Sequence, residues 1–333
     1  MIYKPGYFAL YHSGELEKRA VALEARLAEC DICPWECRVD RLKGKTGFCK
    51  TGALPVVSSF CAHHGEEPVL SGTRGSGTIF FANCNMRCVY CQNYQISQEP
   101  EAQKDREIST GVLVERMLYL QNELGCHNIN QVTPSHVVPQ IVRALVEAVP
   151  RGLRLPLVYN TSSYDSLETI KALDGIISIY LADLRYSSDE YGLRYSHARG
   201  YVEASRAAIK EMYRQVGNLE VDGEDIAQKG LIIRHLILPH GIAGSEESLK
   251  WLVSEVSPEV SISIMSQYYP AHQAARQWYP ELGRKITQEE YSEVVALAEK
   301  LGIENGWMQE MDSAENYQPD FSADEPFEEK KQT

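Results

Sequence analysis

Basic residues are scarce in this chain. Its 33 Lys and Arg stand against 46 Asp and Glu, a formal charge of −13. Phosphate binding needs clustered Lys and Arg, so no broad nucleic-acid surface is expected. Long apolar runs are missing too. No stretch approaches the ~20 residues that span a bilayer, and the opening residues, MIYKPGYFALYHSGELEKR, lack the apolar segment of a secretion signal. A cytoplasmic protein that does not engage a membrane is the expectation. There is no internal repeat and no long low-complexity segment, so the chain does not read as a repeat array.

What is present suits a globular protein. Hydrophobic residues make up 44% and charged residues 24% of 333 positions, enough for one large domain or two small ones. The nine cysteines point to metal ligation more than to disulfides in such a chain. Three lie within CNMRCVYC, as Cys84, Cys88 and Cys91, spaced C-x3-C-x2-C after the strand-like run GTIFFAN. Three thiolates on one loop suit three irons of a [4Fe–4S] cluster, leaving the fourth iron open to a ligand; catalytic metals keep such an open position, whereas structural sites are closed by four ligands. The alternatives are a zinc site completed by a distant residue, or three thiols buried as small hydrophobes. A second group, Cys30, Cys33, Cys37 and Cys49, has the spacing C-x2-C-x3-C-x11-C, which suits a closed zinc site or an auxiliary iron–sulfur cluster.

Along the chain, a helical pattern at about 14–29 precedes the four-cysteine segment, and SGTRGSG (71–77) leads into the first strong strand. From there strand-like runs alternate with helical patterns: GTIFF, NINQV, PLVYN, IISIYLADL, LIIRHLIL and VSISIM. Helices are predicted near 109–125, from Asp165 with a capping-box-like Glu168, and near 287–301 behind Thr287 and Glu290. The alternation predicts an α/β fold with a parallel sheet, either doubly wound and open or a partial barrel. A polar cluster follows each strand, and carboxyl ends of parallel strands share one face. One shared site is therefore expected. The tail from Met308 onward is acidic, with Tyr317 and Phe321 in it; it is either a cover over that site or a disordered tail.

The C-x3-C-x2-C spacing, with Tyr90 just before the last cysteine, resembles the signature of the radical S-adenosylmethionine (SAM) superfamily. HHGEEPVLSGTRGSGTIFFANCNMRCVYCQNYQIS, VTPSH, YNTSSYDS, DLRY, RHLILPH and QYYPAH resemble its PflX-type branch. That branch is named for its similarity to pyruvate formate-lyase activating enzyme, and the resemblance spans about residues 28–320. It implies a partial (β/α)6 radical SAM barrel with an N-terminal cysteine-rich extension, divided as 1–72 (helix and four-cysteine extension), 73–309 (barrel) and 310–333 (acidic tail). It implies a [4Fe–4S] cluster on Cys84, Cys88 and Cys91, with SAM on the open iron and Tyr90 near its adenine. A 5′-deoxyadenosyl radical would then take hydrogen from a substrate.

The SAM contacts that the resemblance implies come from the strand ends. Thr133 stands where many relatives carry Gly-Gly-Glu, and Asn160 and Thr161 where activating enzymes carry a Thr-Asn-Gly-like turn; the branch has Gly at the position of Ser163. Asp183 and Arg185 resemble an Asp-x-Lys element. Arg234 is the better candidate of the Arg234–His235 pair, His235 reading as a satisfied core histidine. His272, in QYYPAH, is placed near SAM or substrate. Between the cysteine groups, Cys61, His63, His64, Glu66 and Glu67 suit a metal, a substrate or an ordinary solvated loop. Cys126 and His127 read as structural.

The implied function is reductive SAM cleavage by an activating-enzyme-like oxidoreductase, with a glycyl radical enzyme as protein substrate and a reductant such as flavodoxin or ferredoxin. A shared fold does not fix the substrate: another peptide, a small metabolite or RNA are alternatives, RNA being disfavoured by the acidic charge. A zinc or iron–sulfur binding protein without turnover is the non-enzyme alternative.

Overall fold

The computed structural model describes residues 3–311 and residue 321. Nine strands form one mixed sheet: β1 (Val57–His63), β2 (Ser76–Phe81), β3 (Ile129–Val132), β4 (Leu157–Thr161), β5 (Ile179–Asp183), β6 (Glu220–Val221), β7 (Ala227–Leu236), β8 (Ser261–Met265) and β9 (Gly306–Met308). They lie in the order β1-β2-β3-β4-β5-β7-β8-β9, with β6 paired to β7. From β2 onward the pairs along this path are parallel, while β1 on β2 and β6 on β7 are antiparallel. The expected mixed α/β architecture with a mostly parallel sheet is present.

The strand order is sequential and never reverses, so the doubly wound alternative does not apply: that arrangement needs a switch point. Among the described residues β1 and β9 do not pair, and the sheet stays open. Sequential order with right-handed crossovers carries every crossover helix to one face. The packing agrees. Ile79, Phe81, Ile129, Tyr159, Tyr180, Ile233 and Ile264, alternate residues of six strands, share the main core with buried residues of the helices. The intervening residues form a separate face. Its lower part is a small apolar cluster in which Val158, Ile179, Leu181 and Ile232 meet Leu70, from the short helix Pro68–Ser71.

Local signals fared unevenly. The helix Gln288–Lys300 starts with a capping box in which Thr287 and Glu290 exchange bonds, as predicted. The helix after β4 does not start at Asp165. It spans Leu167–Ala172 with Ser166 as N-cap and no side-chain cap, because the Asp165 carboxylate is taken by Tyr159 and Thr161. The helix Thr110–Asn122 buries Leu113, Met117 and Leu120, but Leu124 lies beyond its end and is exposed. β1, from the segment assigned to the extension, joins the same sheet as β2. Among the described residues no helix is long and apolar enough to cross a membrane. Tyr317 and nearly all of the acidic tail lie outside the described residues. Phe321 is described; it is buried edge-on against Phe80 at 5.5 Å.

Candidate functional site

The inner face of the sheet opens into a cavity of about 890 Å³. Phe80, Val132, Asn160, Asp183, Arg234 and Ser263 line it, from six parallel strands. Arg185, two residues beyond Asp183, lines it too, as do Tyr90 and Cys91 from the loop after β2. The sequence motifs after β2, β4, β5 and β7 therefore contribute to one space.

Its centre is an ion-pair network. The Arg234 guanidinium donates to Asp183 Oδ1 (2.9 Å), Glu66 Oε2 (3.2 Å) and Asn160 Oδ1. Arg185 donates to Asp183 Oδ2 (2.5 Å), and Asn130 donates to Glu66 Oε1 (3.0 Å). Burial pushes the Asp183 carboxyl up, but Arg234 and Arg185 outweigh it and hold the group below the usual carboxylate range. For Glu66 burial wins: its pKa is raised despite Arg234 and Asn130. Burial also lowers Arg234, but Asp183, Glu67 and Glu66 more than offset it and keep the guanidinium charged. His63 and His64 stand on the rim, His63 held down to about 4 by burial and then by His64.

Not every expected residue reaches this space. Thr161 follows Asn160 on one strand and so points the other way. Its hydroxyl donates to Asp165 Oδ2 (2.6 Å) beneath the helices, and the residue is buried and does not line the cavity. Thr133 has φ 60° and Ser163 φ 61°, and neither lines the cavity. Left-handed backbone at a β-branched Thr is strained by roughly 1–3 kcal/mol; the same geometry at Ser163 is one that Gly adopts without strain. His272, φ 52°, stacks on Tyr94 at 4.7 Å outside the lining. His235, opposite in facing to Arg234, is fully buried and bonded to Leu184 O and Ser245 Oγ, both at 2.8 Å. His127 takes the Arg74 backbone amide at 3.2 Å, a structural contact.

The two cysteine groups differ. Cys30, Cys33, Cys37, Cys49, Cys84, Cys88 and Cys91 form no disulfides. Cys30, Cys33, Cys37 and Cys49 surround a void of about 10 Å³, the space of roughly one water. Arg41, only 1% exposed, donates to Gly52 O and His136 O, with Cys30 Sγ 3.8 Å away. Gly47 passes so close that an added Cβ would sit 2.6 Å from Cys37 Sγ, so the backbone itself closes one side. In the other group, Ser196 Oγ lies 3.0 Å and Arg185 Nη1 3.6 Å from Cys88 Sγ as donors, and Cys91 Sγ meets Ser97 Oγ at 3.3 Å. Burial raises the Cys84 and Cys91 thiols, and Cys88 raises both further. Among the described residues no group of three or more His, Cys, Asp or Glu side chains is placed to hold a metal ion. The donor chemistry nonetheless fits soft metal centres: clustered thiols, with hydrogen-bond donors aimed at sulfur.

The groups are joined. Trp35 of the four-cysteine segment donates from Nε1 to Asn85 O (2.8 Å), inside the three-cysteine loop. It stacks on Phe48 at 3.9 Å, and Arg87 lies over the same Phe48 at 5.0 Å. Neither Trp35 nor Arg41 carries a sequence signal for this role. Ser263 does: Ser261 and Ser263 alternate with apolar residues in β8, marking a polar inner face.

The fold and cavity define an α/β protein with a polar site at the carboxyl ends of a sequentially ordered, mostly parallel sheet. No family model matches the chain. It is 28% identical over 281 residues to an uncharacterized protein of Methanocaldococcus jannaschii, covering 83% of this chain and 75% of that protein. Among solved structures, one of TYW1 with a lysine-pyruvate adduct bound aligns over 71% of this chain and 78% of that chain, at 11% identity and a TM-score of 0.38.

Proposed function

We propose that this chain is a radical SAM enzyme built on a partial barrel, similar in its motifs to the glycyl radical activating enzymes. The observation that carries the reading is a coincidence of place. The CNMRCVYC loop brings Tyr90 and Cys91 to the same cavity as Asn160, Asp183, Arg185 and Arg234. Sequential strand order supports the barrel, since it leaves one face of the sheet free of crossover helices.

In this reading Cys84, Cys88 and Cys91 hold a [4Fe–4S] cluster, and the cavity beside them holds SAM. When bound, these groups supply one-electron chemistry ending in hydrogen abstraction. The chain supplies orientation and exclusion of water. Arg234 is locked by Asp183, Glu66 and Asn160, and its remaining N–H groups are free to take a carboxylate in a fixed fork. Asn160 and Asp183 accept from amino or hydroxyl groups. Ser196 and Arg185, donating to Cys88 Sγ, would hold that sulfur in position. The four-cysteine group holds zinc or an auxiliary cluster and stiffens the loop through Trp35. A small redox protein such as flavodoxin or ferredoxin is the proposed reductant, and a protein glycine the proposed hydrogen donor.

Anaerobic reconstitution tests this, with iron and zinc counted and 5′-deoxyadenosine measured after adding dithionite and SAM. Wild-type protein is expected to bind iron and form deoxyadenosine. Cys88→Ala is expected to lose deoxyadenosine formation and the iron of the three-cysteine site, and Cys126→Ala neither. No iron and no deoxyadenosine from the wild type would sink the reading.

A further inference from the structure

One acid of the cavity stands outside its salt bridges. Its core holds three carboxylates, Glu66, Glu67 and Asp183, against two guanidiniums, Arg185 and Arg234. Asp183 and Glu66 are both paired with Arg234, and Asp183 with Arg185 as well. Glu67 has no such salt bridge among the described residues. It is 8% exposed, and its Oε2 has no hydrogen-bond partner there. Burial raises its pKa, Arg234 opposes that rise, Glu66 adds to it and a Ser263 hydrogen bond lowers it, while Oε2 has no donor among the described residues. A buried carboxylate oxygen left unpaired is costly.

The surroundings say what would complete it. Asp183, Arg234, Ser263 and Trp307 fall on one register row across β5, β7, β8 and β9. Glu67 meets that row at Ser263, with the Trp307 indole on the same cavity wall. A carboxylate beside an indole is a grip for an organic cation. Glu310 lines the same space and adds a further negative charge. A cation that carries N–H donors answers both the carboxyls lining this space and the Glu67 oxygen that lacks a donor. No metal-holding group of side chains is placed here among the described residues. The volume, about 890 Å³, is near the upper end for small-molecule pockets and has room for more than one bound molecule.

We propose that Glu67, with Trp307, forms a substrate position that binds a primary ammonium or guanidinium group, next to the SAM position of the reading above, on which this rests. The substrate is thus a cation, such as an amine or a Lys or Arg side chain, rather than an acid or a neutral sugar.

The test is calorimetric titration of the full-length protein with n-butylammonium and n-butylguanidinium, against butyrate and n-butanol as matched anion and neutral. The cations are expected to bind and the other two not. Glu67→Gln is expected to weaken the cations about tenfold, the loss of one charge-assisted hydrogen bond, while SAM affinity stays unchanged. Trp307→Ala serves as a second variant should Glu67→Gln not fold, with the same expectation. Equal binding of all four probes, or cation affinity unmoved by both variants, overturns the proposal. So does a Glu67→Gln protein that loses SAM instead of the cations, since the carboxylate would then belong to SAM. Absence of deoxyadenosine with cation binding intact fails the radical reading alone; deoxyadenosine without cation selectivity fails this proposal alone.

Discussion

Adjacent residues on the same strands meet opposite fates in this molecule. On β7, Arg234 enters an open cavity and His235 a closed core. On β4, Asn160 joins the ion-pair network and Thr161 a hydrogen-bond cluster under the helices. All four are polar and largely buried, and each is well bonded. The difference lies in what surrounds the bonds. Inner-face groups keep donors or acceptors free toward a space of about 890 Å³; outer-face groups spend theirs on backbone and neighbouring side chains. Burial and polarity alone therefore do not mark a site. Polarity facing volume does.

Arg234→Ala should break the inner face hardest. It leaves Asp183 and Glu66 without their shared cation, and removing one partner from a buried pair costs about 3–5 kcal/mol. SAM binding, followed by calorimetry, should be lost as well. Arg234→Lys is expected to recover much of the stability, read by urea unfolding, but little of the binding, because an ammonium cannot keep three bonds and present a fork. Full SAM binding by a folded Arg234→Ala protein would remove the inner face from the site.

His235 gives the contrasting outer-face result. Burial pushes its pKa down to about 4, below the unfolded value near 6.5. The unfolded chain thus takes up the proton first on acidification. The stability tied to the neutral ring is present above about pH 6.5 and is lost as pH falls toward 4. At about 1.4 kcal/mol per pH unit this amounts to roughly 3 kcal/mol. Urea unfolding at a series of pH values should show that loss in the wild type, and His235→Gln should reduce it by about that amount, leaving the share of buried His63 and His136. SAM affinity at pH 7.5 should be the same in both.

Much of this layout can be read from the sequence, and the gaps have physical causes. The alternation of strand-like and helical runs gives the parallel strands, and the polar cluster after each run gives the shared edge. Strand order cannot be read this way, because periodicity shows which face a residue takes and not which strand lies beside it. β1 was missed because VSSFCAH has no clear alternation and is only partly buried; β9 was missed because three residues carry no period. Glu66 sat in a segment, HHGEEP, that reads equally as a loop, and only the fold shows it reaching Asn130 and Arg234. Asn160 and Thr161 look equivalent as letters. The pleat separates them.

Thr161→Val is the finest test of that separation. The two side chains have nearly the same shape, so packing should survive and only the hydroxyl is removed. That hydroxyl lies 2.6 Å from Asp165 Oδ2, takes the Ser163 amide at 3.1 Å and meets Ser135 Oγ at 3.2 Å. Asp165 keeps the Tyr159 hydroxyl at 2.9 Å but loses a donor in a buried position. The expected cost is about 1.5–3 kcal/mol, the range for a hydrogen bond to a charged group, seen as a lower urea midpoint with an unchanged slope. Because the side chain faces the helices, SAM affinity and deoxyadenosine formation should stay at wild-type levels once the protein is folded. Asn160→Ala, one residue away, should do the reverse, weakening SAM with a smaller change in the midpoint. If Thr161→Val weakens SAM as much as Asn160→Ala does, the turn after β4 acts as one unit in binding, and the division of labour between the two faces fails at that strand.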